Sequence, residues 1–276
     1  MARAAANGAT PVAAFSDPTA LALLPAEART SVARHRAKVP PKDRRERMQR
    51  VFLEKRAQMM VVRTVAIDDA VRAAPSPQVV ILGAGLDGRA WRMPELGNSV
   101  VFEVDHPDTQ REKTARVQEL TQKAAEVRFV PVDFTRDSLD AALARAGHDP
   151  MRATTWIWEG VVMYLTRADA EATLAVVERR SPPASRLVIA YISPAPMRWV
   201  AALFLRRLGE PIRSVFTADA MRELLGRFGF GVVEDEDVCT IGRALSPELG
   251  KGTETRPMRH LRIVTADRRS SVETHR

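Results

Sequence analysis

Residues 78–107 read QVVILGAGLDGRAWRMPELGNSVVFEVDHP. A short apolar run, Val79 to Leu82, stops at Gly83-Ala84-Gly85. A second, Val100 to Val104, ends in acids at Glu103 and Asp105. A strand, a glycine turn and a second strand with an acid at its tip are how an open parallel sheet holds an adenosine. The glycines let the chain turn sharply and let a ligand lie on bare backbone. The acid can accept hydrogen bonds from both hydroxyls of a ribose. Gly83-Ala84-Gly85-Leu86-Asp87-Gly88 also satisfies G-x-G-x-x-G, with Asp105 twenty-two residues beyond Gly83. That spacing suits a dinucleotide or another adenosine cofactor and does not choose between them.

Outward from this stretch, strands and helices alternate. The apolar pattern predicts strands near 78–82, 99–104, 127–132, 154–159 and 186–191, with helices at about 107–124, 136–146 and 167–180 between them. Such alternation is the mark of a parallel sheet with crossover helices. Two late strands are expected at Gly231 to Val238 and His260 to Thr265, after a helix capped by Thr217 and closed by Gly229. Residues 192–216 interrupt the rhythm with a basic, amphipathic insertion. Upstream, Pro40-Pro41 separates a short helical run, Thr19 to Leu24, from a long helix over Arg44 to Ala73 that Pro75 and Pro77 close. Residues 1–12 read as disordered. The expected organisation is an N-terminal helical cap segment (1–75), a core with a cap insertion (76–268) and a tail (269–276).

The chain has 276 residues, 45% of them hydrophobic, enough for one large domain with a full core. Its single cysteine, Cys239, rules out an internal disulfide and suits a reducing, cytoplasmic setting. No apolar run approaches membrane-spanning length. The net charge of +8 sits in one place. Residues 29–56 hold eleven Lys/Arg against three Asp/Glu, and the rest of the chain is balanced. A basic segment attracts anionic partners. With Phe52 as its one aromatic it offers no stacking platform for bases, so a solvated helix face is the favoured reading.

Two charges stand out against their surroundings. On a helix, Arg63 shares a face with Phe52, Met59, Met60, Ile67 and Ala70, where a guanidinium wants an anionic partner. That partner is either an internal carboxylate or the carboxylate of a ligand, gripped in bidentate fashion. Glu159 ends the strand beginning at Thr154 and alternates in phase with Ile157 and Val161, so it too needs a cation. Asp133 ends the strand near 127–132. It is placed either to accept from an adenine amino group, with Phe134 packing on the ring, or to cap the following helix. The five histidines have no metal spacing, and no nucleophile elbow or phosphate-gripping G-K-[ST] is present. Tyr164, Tyr191 and His106 are the remaining candidates for a general base.

The pieces FSDPTALALL (15–24), VVRTVAIDD (61–69), VVILGAGLDGRAWRM (79–93), FEVDHPDTQREK (102–113), FVPVDF (129–134), WEGVVMYL (158–165) and LGEPIRSVFTADAMRELLGRFGF (208–230) together resemble the leucine carboxyl methyltransferase superfamily, in its bacterial small-molecule O-methyltransferase branch. Gly88 departs from the pattern, where Thr, Ser or Ala is more usual. The resemblance implies a Rossmann-like class I α/β fold. Its sheet would have seven strands, mostly parallel with the last antiparallel, helices on both faces and a helical cap over the substrate. It also implies S-adenosylmethionine as cofactor and a small-molecule acceptor. Arg63 would then hold the methionine carboxylate, Gly83 and Gly85 would pass beneath the methionine part, and Asp105 would hold the ribose. Asp133 and Phe134 would hold the adenine, and Glu159 the cationic methionyl end. Two other readings compete. A nicotinamide-dependent oxidoreductase would use the same glycine turn but leaves Arg63 and Glu159 unexplained. A nucleic-acid binder would act through residues 29–56.

Overall fold

The computed structural model describes residues 1–134, 136–194, 212–249 and 258–270. Seven strands form one sheet in the order β3-β2-β1-β4-β5-β7-β6. They are β1 (Gln78–Leu82), β2 (Val100–Asp105), β3 (Glu126–Pro131), β4 (Thr154–Glu159), β5 (Arg186–Ile192), β6 (Phe230–Asp237) and β7 (Leu261–Arg268). The strands from β3 across to β5 pair in parallel, and β7 runs antiparallel to both β5 and β6. Every residue of β1 is buried, as expected for a strand covered by helices on both faces.

Period two sorts the side chains between two cores. Val80, Leu82, Phe102, Val104, Trp156 and Trp158 face one way, onto helices α6 (Leu139–Arg145), α7 (Arg167–Arg179) and α8 (Ala218–Arg227). Val79, Ile81, Val101 and Ile157 face the other way, onto Ile67 and Val71 of α3 (Arg44–Ala73) and Trp91 of α4 (Arg89–Arg92). The long helix has the boundaries its prolines predict. Asp43 caps its start by accepting from the Glu46 N–H at 2.7 Å. Only its second half is buried, from Ala57 onward; Met48, Val51 and Phe52 are exposed.

Several local expectations differ from the structure. Thr19 to Leu24 form turns, and the helix of this region is α2 (Ala26–Arg36) instead. The helix after β2, α5, is Pro107–Val117 and stops short of 124. Val238 does not end a strand. Asp237 Oδ1 accepts from the N–H groups of Cys239 and Thr240 and opens helix α9 (Val238–Leu245). Residues 1–12 are not featureless. Ala2–Ala6 form helix α1, whose Ala4, Ala5 and Ala6 are buried, and Ala6 packs in one cluster with Val61, Val62 and Val65 of α3. Alanines allow that close approach, but composition alone shows no partner for them. Most of the insertion expected at 192–216 lies outside the described residues, as does most of the tail expected at 269–276.

Candidate functional site

The carboxyl ends of the parallel strands form a row. Asp133 and Phe134 follow β3, Asp105 ends β2, the glycine turn follows β1, and Glu159 ends β4. This edge, where the strand order reverses between β1 and β4, is where open α/β sheets bind ligands. The turn itself is built by the backbone. The N–H groups of Gly83 and Ala84 both donate to the Val104 carbonyl, at 2.8 and 3.0 Å, which ties the turn to β2. Gly83 has φ +67°, and a side chain there would collide with Val161 Cγ2. The Gly85 N–H donates to Asp105 Oδ2, while Asp105 Oδ1 accepts from the His106 N–H at 2.6 Å. Backbone donors thus aim the Asp105 carboxylate at the turn.

A cavity of about 470 Å³ opens beside the turn. Gly83, Gly85 and Asp87 line it on the sheet side, Arg63 and Met60 from α3, and Glu159, Met163 and Tyr164 from the β4 side. The two solitary charges of the sequence meet in its wall, with Arg63 Nε 2.7 Å from Glu159 Oε1. Neither Nη of Arg63 has a hydrogen-bond partner among the described residues. Both lie beside Gly160, whose missing side chain leaves them room. An arginine with paired Nε and unpaired Nη groups in a cavity wall fits the carboxylate of an amino-acid ligand.

Glu159 is held by a second arginine that the sequence did not single out. Arg89 is fully buried, and its Nη1 donates to Glu159 Oε2 at 2.8 Å and also to Asp87 Oδ2. Its Nε donates to Asp68 Oδ1 at 2.8 Å. Asp68 binds Arg92 in bidentate fashion, at 2.5 and 2.9 Å. The array continues to Asp17, 3.9 Å from Arg92 and 3.2 Å from Arg3. Four arginines and four carboxylates therefore balance. Burial alone would raise the pKa of Glu159, but the Arg63 and Arg89 guanidiniums outweigh it and hold the carboxyl well below its usual range. Burial would likewise raise Asp87, and Arg89 reverses the sign. Glu159 is thus an anion at any physiological pH. With each oxygen facing an arginine, it keeps only its remaining lone pairs for a ligand ammonium.

The other candidates are scattered. Asp133 accepts from Arg136 Nε at 2.8 Å, and its own N–H donates to Asp137 Oδ2 at 2.9 Å, so it also organises the turn after β3. Phe134 is exposed beside it. Neither lies in the cavity wall. Tyr164 does. Tyr191 does not: it is buried on β5, its hydroxyl donating to Asp235 Oδ2 of β6 at 2.7 Å and accepting from Arg262 Nε of β7 at 3.1 Å. His106 caps α5, its Nδ1 accepting from the Asp108 N–H at 3.3 Å, which is the role of a turn residue. Among the described residues no cluster of His, Cys, Asp and Glu has the form of a metal site, and no helix is long and apolar enough to cross a membrane.

A seven-stranded sheet in this order, with β7 reversed and the glycine turn at the switch point, is the Rossmann-like fold of S-adenosylmethionine-dependent methyltransferases. The family model for leucine carboxyl methyltransferase matches residues 1–178, and the chain belongs to that family. A protein of Mycolicibacterium gilvum strain PYR-GCK, assigned as an S-adenosyl-L-methionine-dependent methyltransferase, is 41% identical over 158 residues, 56% of this chain and 50% of its own. Another so assigned, from Parafrankia sp. strain EAN1pec, is 40% identical over 135 residues, 47% of this chain and 43% of its own. The chain spans about half the length of the curated relatives it matches. Among solved structures, a DUF574 family protein from Streptomyces avermitilis superposes with a TM-score of 0.60 at 16% identity, over 97% of each chain. Magnesium protoporphyrin IX methyltransferase from Synechocystis PCC 6803, with bound S-adenosylhomocysteine, gives 0.50 at 16% identity, over 88% of this chain and 95% of that one. At these identities the likeness is one of fold.

Proposed function

We propose that the chain is an S-adenosylmethionine-dependent methyltransferase that methylates an oxygen of a small molecule. The observation that carries this reading is Arg63, paired through Nε with Glu159 and with its Nη groups beside Gly160 in the wall of the cavity next to the glycine turn. In the bound complex S-adenosylmethionine supplies a methyl group on a sulfonium, a good electrophile. The residues of the chain then bind and orient. Arg63 grips the amino-acid carboxylate, and Glu159 attracts the ammonium and the sulfonium. Gly83 and Gly85 admit the chain of the ligand against bare backbone, and Asp105 accepts from the ribose. Asp133 and Phe134, at the end of the row, receive the adenine. Methyl transfer asks mainly for alignment of an acceptor oxygen, which positioning supplies. An acceptor carboxylate is already ionised and needs no base. For an acceptor hydroxyl, Tyr164 is the one candidate base that lines the cavity.

A nicotinamide enzyme would leave the unpaired Nη groups of Arg63 without a purpose, and the family match lies with methyltransferases. Calorimetric titration with S-adenosylhomocysteine tests the proposal. The full chain should bind it, and Arg63→Ala should weaken binding at least tenfold. A correctly folded chain with no measurable affinity would overturn the reading.

A further inference from the structure

The basic segment that sets the net charge of the protein is absorbed by none of the roles above. In the folded chain it lines a second, open-sided chamber of about 750 Å³ between α2 and the exposed half of α3. That volume falls in the range of small-molecule sites, roughly 300–1,000 Å³. The chamber adjoins the inner cavity: Met1, Ala2 and Arg56 stand in the walls of both. One face of α3 runs through the pair, from Leu53 in the outer chamber past Arg56 to Arg63 in the inner one. At 1.5 Å per residue, Arg56 lies about 10 Å along the helix from Arg63.

The outer walls are amphipathic, with Arg34, Arg50 and Arg56 against Glu27 and Glu46. Val39, Phe52 and Leu53 supply apolar surface. Arg34 is compensated by Glu46 at 3.6 Å, and Arg50 donates to the Val39 carbonyl. Arg56 has no carboxylate partner among the described residues; it is held over the Phe52 ring, 5.6 Å from its centroid. The segment that supplies most of this lining, residues 29–56, carries eleven Lys/Arg against three Asp/Glu, a balance that attracts anions. Among the described lining residues Phe52 is the one Phe, Tyr or Trp.

We infer that the outer chamber is the acceptor site, and that it selects an amphipathic acceptor whose anionic group is bound by Arg56 while its reacting oxygen lies in the inner cavity. The inference rests on the proposed methyltransferase reading and adds the class of substrate. Arg56 is the specificity-determining residue: it reads a charge about one helical-face length from the cofactor carboxylate held by Arg63.

The test uses a matched pair of fluorescent probes on the full chain with and without S-adenosylhomocysteine. 1-Anilinonaphthalene-8-sulfonate carries an anion on an apolar body, and N-phenyl-1-naphthylamine is the same body without it. The sulfonate should bind at least tenfold more tightly. Arg56→Gln should remove at least fivefold of that preference, Arg56→Lys should keep most of it, and Leu53→Trp, which fills the outer chamber alone, should weaken both probes. Equal affinities for the two probes, or a preference that survives Arg56→Gln, would overturn the inference. Because the probes also report without the nucleoside, loss of S-adenosylhomocysteine binding by a folded chain would overturn the cofactor reading separately.

Discussion

Glu159 shows how one carboxylate can serve two structures at once. It neutralises Arg63 in the cavity wall and Arg89 in the interior. Removing one partner of such an array leaves a buried charge unpaired, which costs about 3–5 kcal/mol. Glu159→Gln should therefore lower unfolding stability by an amount of that order in urea titrations, and weaken S-adenosylhomocysteine binding as well. A loss of binding with unchanged stability would mean that the arginines find other anions. A second buried pair responds to pH. Burial pushes the Glu103 carboxyl up to about 7, despite Lys113 Nζ at 2.6 Å, from an ordinary value of 4.5. The folded chain thus holds that proton more tightly than the unfolded chain. Its contribution to stability is complete below pH 4.5 and is lost as pH rises through 7. Between pH 5 and pH 8 the protein should lose up to about 3 kcal/mol relative to Glu103→Gln. A difference that does not change with pH would show that Lys113 keeps Glu103 ionised throughout.

The turn after β1 and the segment that covers it explain an anomaly in the chain. The family resemblance leads one to expect Thr, Ser or Ala at Gly88. In the structure the space for that side chain is taken by the hydroxyl of Thr19, which itself donates to Asp17 Oδ1 at 2.8 Å. The missing side chain is replaced by one from the N-terminal segment, which locks residues 17–19 onto the turn. Gly88→Thr should collide with Thr19 and cost about 1–3 kcal/mol, the usual penalty for overpacking. The double variant Gly88→Thr, Thr19→Ala should recover part of that loss in thermal melts, and a lack of recovery would separate the two sites. Gly83→Ala should be worse than Gly85→Ala. Both have positive φ, but only at Gly83 does a neighbour, Val161, occupy the space of the new methyl group.

The molecule as a whole couples its outermost residues to its centre. Arg3 donates to the Leu86 carbonyl at 2.5 Å and pairs with Asp17, which faces Arg92, which binds Asp68 and so reaches Arg89 and Glu159. The N-terminal segment, the glycine turn and the end of β4 should therefore melt together. A ligand that binds only the folded chain at 100 times its Kd adds about 2.7 kcal/mol. For a chain of this size that raises Tm by about 5 °C. Saturating S-adenosylhomocysteine should produce such a shift in one cooperative transition by calorimetry. Asp17→Asn should lower Tm in the same single transition. A separate early transition would show that the N-terminal segment opens independently.

The alternation of elements, the glycine turn and the boundaries of the long helix were legible along the chain because each depends on neighbours a few residues apart: an apolar period, a pair of glycines, the prolines that flank the helix. Arg63 and Glu159 were legible as charges out of place for the same reason. Folding alone decided that they satisfy each other and that Arg89 completes the set, since ion pairs among α3, α4 and β4 depend on how the sheet orders its strands. Folding also turned an alanine-rich start into a packed helix, substituted Thr19 for a side chain at Gly88, and gathered a basic segment along an open-sided chamber. Contacts between distant segments leave no period in the sequence. Their strength comes from removing charge and apolar surface from water together, which happens only where the chain has already folded.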